Sequence, residues 1–89
     1  MSNIKRATPR FRVAEYADGR FWIMVEQSGG DDLTVFEKVI GFDLRPGTSF
    51  EEAKVISAYL NWNLPVITET SVEAPATAKL HAEPIIKSI

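Results

Sequence analysis

The chain has 89 residues, which sets the expectation of one domain with a modest core. It has no cysteine and a single histidine, His81, so disulfides and a four-ligand structural zinc site are excluded and no cofactor or metal is expected. A net charge of −2 argues against attraction of the whole molecule to nucleic acid or to an anionic membrane surface.

The N-terminal segment 1–9 is polar and lacks the apolar centre of a secretion signal. No run approaches the roughly 20 apolar residues of a membrane helix. A cytoplasmic protein with no membrane partner is the expectation, and the lack of cysteine fits a reducing compartment. Segment 1–9, ending at Pro9, reads as a flexible basic arm. The charge is polarised: residues 1–20 sum to +3, and the rest to −5. Lys5, Arg6, Arg10, Arg12 and Arg20 are therefore the candidate phosphate contacts, against the ordinary reading of a solvated segment and a charge-protected edge strand.

Two runs rich in aromatic and β-branched residues, 10–17 and 20–27, flank Asp18-Gly19. A two-residue type I′ hairpin is the expectation for that dipeptide. In that register Tyr16 opposes Phe21, Ala14 opposes Ile23 and Arg12 opposes Val25, a face with a plausible core. Phe11, Val13, Trp22 and Met24 then share the second face, with Glu15 and Glu26.

A polar loop, Ser28 to Asp32, follows. Its Gly29-Gly30-Asp31-Asp32 resembles, over four residues, the Gly-Gly-Asp-Glu-Phe signature that diguanylate cyclases carry at a hairpin turn. Here Asp32 replaces Glu, Leu33 replaces Phe, and the chain is shorter than that catalytic domain. A turn rich in glycine and aspartate accounts for the same letters. The segment Leu33–Ile40 has apolar residues at helical spacing (Leu33, Phe36, Ile40) and β-branched residues suited to a pleat. It is assigned as the third strand, with Gly41 marking a bulge.

Arg45-Pro46-Gly47 marks a turn. Ser49 and Glu52 form the S-x-x-E pattern of a capping box, which predicts a helix from Phe50 to about Asn61, before Pro65. Glu51 and Glu52 already occupy the field that would hold an anion, so the helix start is structural. Val66-Ile67-Thr68 can form a short fourth strand. The segment 69–89 is rich in Ala, Pro and Thr and reads as a mobile tail.

The fold class expected is α+β: a three-stranded antiparallel sheet, four-stranded if Val66–Thr68 joins it, with one helix packed on one face in the order β-β-β-α. The core domain spans 10–68. That order of elements resembles the small sheet-plus-helix DNA-binding domains at the N-termini of phage-type integrases. It implies a sheet face laid in a DNA groove, although Glu15 and Glu26 lie on the candidate face.

No carboxylate dyad, nucleophile elbow or phosphate loop is present, so no enzyme is expected. The helix carries two apolar stripes. Phe50, Ala53, Ile56 and Leu60 should cover the sheet; Val55, Ala58, Tyr59 and Trp62 have nothing to cover. Phe11, Val13, Trp22, Met24, Val55, Tyr59 and Trp62 are therefore the candidate interface residues. The function expected is a non-enzymatic protein-interaction module, a homodimer or the partner of another protein. In size and style it resembles the accessory or inhibitory proteins of bacteria, phages and mobile elements. The alternative is a nucleic-acid-binding domain that uses the basic residues above.

Overall fold

A computed structural model describes residues 4–70. The chain forms β1 (Ile4–Glu15), β2 (Phe21–Gly30), a 3-10 turn (Thr34–Glu37), β3 (Ile40–Asp43), α1 (Phe50–Asn63) and β4 (Ile67–Thr70). The four strands make one antiparallel sheet in the order β3-β2-β1-β4, an α+β architecture. The fourth strand is present, shifted two residues beyond its expected end. It pairs Ile67–Thr70 with Ala7–Ile4, so the segment read as an arm is strand from Ile4 onward. Glu69 and Thr70, assigned to the tail, belong to β4; residues 71–89 lie outside the described region.

The hairpin corrects the expected register by one residue. Gly19 N–H donates to Tyr16 O at 2.9 Å and Tyr16 N–H to Arg20 O at 2.8 Å. Gly19 alone in this turn has positive φ, at 92°, so the loop is three residues long, a type I turn closed by glycine. Asp18 stays right-handed because its carboxylate accepts from Arg20 N (3.1 Å) and Arg20 Nε (2.8 Å). Those bonds, the backbone one foremost, hold its pKa below the usual carboxylate value.

A one-residue slip exchanges the faces of every side chain. Phe11 now opposes Val25, Val13 opposes Ile23, Arg12 opposes Met24 and Ala14 opposes Trp22. Phe11, Val13, Ile23 and Val25 thus meet on one face, where Phe11, Ile23 and Val25 form the buried core. Phe36, Ile40, Leu44 and Leu60 pack around them.

Leu33–Ile40 is not a strand. Leu33 is buried, Thr34–Glu37 makes the 3-10 turn, and pairing with β2 begins only at Ile40. The apolar spacing noted in the sequence serves this turn, which folds Leu33 and Phe36 inward. Gly41 is no bulge; it pairs in register with Met24. A Cβ there would collide with the Ile23 carbonyl oxygen and stand 2.6 Å from two carbons of the Trp22 indole, so glycine is what lets both the β2 backbone and that ring come close.

The helix start is as expected. Glu52 N–H donates to Ser49 Oγ (3.0 Å) and Ser49 N–H to Glu52 Oε1 (2.8 Å), a reciprocal capping box. Ser49→Ala is expected to cost about 1 kcal/mol. The bond from Ser49 N–H also lowers the pKa of Glu52. A carboxylate depressed in the folded state stabilises above its unfolded pKa, and the gain is lost as pH falls through the folded value. Urea titrations of the wild type and Glu52→Gln should therefore differ at neutral pH and converge in acid. A difference independent of pH would contradict this.

Candidate functional site

The helix lies on the Phe11 face, rolled away from the orientation its apolar residues suggest. Ala53 and Ser57 are its buried positions, whereas Phe50 and Ile56, expected to cover the sheet, stay partly exposed. Hydrogen bonding explains the roll. Ser57 Oγ donates to Phe11 O at 2.7 Å, Asn61 Nδ2 donates to the same oxygen at 2.8 Å, and Phe11 N–H donates to Asn61 Oδ1 at 2.8 Å. β4 pairs only with Ile4–Ala7, so β1 has a free edge beyond it and the peptide groups of Phe11 need partners. Ser57 and Asn61, one helical turn apart, supply them. Their four-residue spacing from Ala53, at positions 53, 57 and 61, was the available signal in the sequence.

This geometry divides the candidate interface residues into three groups. Phe11 and Val13 face the core and leave the set: Phe11 is buried and Val13 packs beside it. Trp22 and Met24 occupy the opposite sheet face, half-buried. Tyr16 stacks on Trp22 with ring centroids 5.4 Å apart, and the Arg20 guanidinium sits 5.2 Å from the Tyr16 centroid. The Tyr16 hydroxyl donates to Asp43 Oδ1 at 2.6 Å; that bond to a carboxylate raises the phenol pKa. These contacts serve the hairpin end and bring no catalytic pair together.

Val55, Tyr59 and Trp62 project from the helix side turned away from the sheet, 68%, 65% and 86% exposed. Beside them, Ile56, Leu60 and Leu64 form one wall of an apolar cleft of about 580 Å³. Its floor is Phe11, Ile23 and Val25; Phe42, Leu44, Val66 and Ile67 complete it. Ile56 and Tyr59 are three residues apart and hence neighbours on the helix, so the cleft wall and the outer stripe adjoin. Sequence reasoning found the outer stripe but missed the cleft. The cleft depends on the helix roll that leaves Ile56 open, which no local pattern in the sequence reveals.

The basic candidates separate as well. Arg6, Arg10 and Arg12 lie at alternating positions of β1 on the face opposite the helix, with Trp22 and Met24. Lys5 falls on the other face, near Leu33 and Thr34. Arg20 is at the hairpin tip, paired with Asp18.

Among the described residues no cluster of His, Cys, Asp or Glu could hold a metal ion, and no helix is long and apolar enough to cross a membrane. Comparison with protein-family models, curated proteins and solved structures finds no match to this chain.

Proposed function

We propose that this domain is a non-enzymatic protein-interaction module that works as a homodimer through the outer side of α1. The observation carrying this reading is the exposure of Val55, Tyr59 and Trp62 on a helix whose opposite side already satisfies the sheet. Tryptophan and tyrosine are the side chains that most often anchor interfaces, because they bury much area at low entropic cost. The cleft adds apolar surface next to them. A two-fold axis near Trp62 would cover the same patch on both copies at once.

Trp62→Glu tests the reading. Its side chain is largely exposed, so melting of the dilute protein should change by no more than about 0.5 kcal/mol. Self-association, followed by light scattering across a concentration series, should be lost. Association equal to that of the wild type would refute the use of this surface.

A further inference from the structure

We propose that the open face of the sheet binds single-stranded nucleic acid, with the sugar-phosphate backbone running along β1. Among the described residues no helix packs on this face. β1, a central strand, presents Arg6, Thr8, Arg10 and Arg12 there in a line. Alternate residues of a strand are about 6.6 Å apart, so the line holds three guanidinium groups and a hydroxyl over roughly 20 Å. Polar residues on a solvent face are ordinary, and arginines alone would signify only solvation.

Two further observations point to a ligand. The guanidinium groups of Arg6 and Arg10 pair with no carboxylate among the described residues; the facing Glu26 is spent on Arg12, at 3.3 Å. Thr68, opposite Arg6 on β4, adds a hydroxyl on the far side of the row. The second observation is an apolar lane on β2 beside the Arg12 end of the row, where Trp22 and Met24 are directly opposite Ala14 and Arg12; Glu26 and Gly29 are opposite Arg10 and Thr8. Neighbouring strands are about 4.8 Å apart. The face therefore offers a cationic lane that is continued, at its Arg12 end, by an apolar lane on the neighbouring strand.

A duplex hides the faces of its bases and would leave the apolar lane unused. A single strand presents phosphates on one side and bases on the other, which matches both lanes. Since the Trp22 ring already stacks on Tyr16, bases would meet the edge of that stack and Met24. Little sequence preference should result.

The test is fluorescence anisotropy of a labelled mixed-sequence single-stranded DNA with the full chain. Three phosphate contacts predict affinity falling roughly 20-fold between about 50 and 200 mM salt. Arg6→Gln, Arg10→Gln and Arg12→Gln together should abolish binding, and lysine at the same three positions should retain most of it. Lys5→Gln, on the opposite face, should leave it unchanged. The proposal is overturned by absence of binding at low salt, by a Lys5→Gln loss matching that of Arg10→Gln, or by tighter binding of the duplex of the same sequence. All these positions are exposed, so folding is not at stake.

Discussion

Ile23→Ala is expected to destabilise the domain by about 2–5 kcal/mol, the largest single effect in the chain. Among the described residues Ile23 is the one large side chain with no exposed surface, set between Val13 on β1 and Phe42 on β3. Truncation removes its transfer free energy and leaves a void under the helix that the sheet backbone cannot close. Folded proteins are stable by only about 5–15 kcal/mol, and small domains sit at the low end, so much of the variant should be unfolded at room temperature. Val55→Ala removes a similar side chain from the outer stripe and should cost at most about 0.5 kcal/mol in the dilute protein. Urea denaturation of both variants measures the contrast. Similar losses at the two positions would contradict the assigned core.

The second large effect is expected at the contact between α1 and the free edge of β1. Asn61→Leu leaves the Phe11 N–H without a partner in a partly buried setting, at about 1–3 kcal/mol. Ser57→Ala should cost less, about 1 kcal/mol, because Asn61 still donates to the Phe11 carbonyl. In the double variant that carbonyl loses both donors, so the combined loss should exceed the sum of the single losses. Hydrogen exchange of the Phe11 amide should speed up in Asn61→Leu and hardly change in Ser57→Ala. Strict additivity, with unchanged exchange, would mean that the three bonds do not hold the helix.

These two sites also show what the sequence could and could not reveal. The hairpin turn, the Pro-Gly turn and the capping box are local: each follows from side chains within four residues of one another, and their order along the chain carries the α+β class. The hairpin register needed more. Asp-Gly fits a two-residue loop, but it also fits the last two places of a three-residue loop, where only the glycine needs positive φ. The alternation of Arg10, Phe11, Arg12 and Val13 against Val25, Met24 and Ile23 already favoured the longer loop, since the shorter one set Phe11 against Glu26. Leu33–Ile40 was decided by tertiary demands, because those residues must turn back over the core before β3 begins. The strand from Ile4 depended on a partner more than 60 residues away, which no local pattern reveals. Of the candidate surfaces, the outer stripe of α1 was readable from helical spacing alone. The cleft and the arginine row were not, because both depend on which face each strand residue takes.

The most direct test of the proposed function is the solution mass of the full chain, by light scattering after size exclusion over a range of concentrations. A particle of twice the 9.9 kDa chain mass is the expected result. A monomer at every concentration would contradict the homodimer.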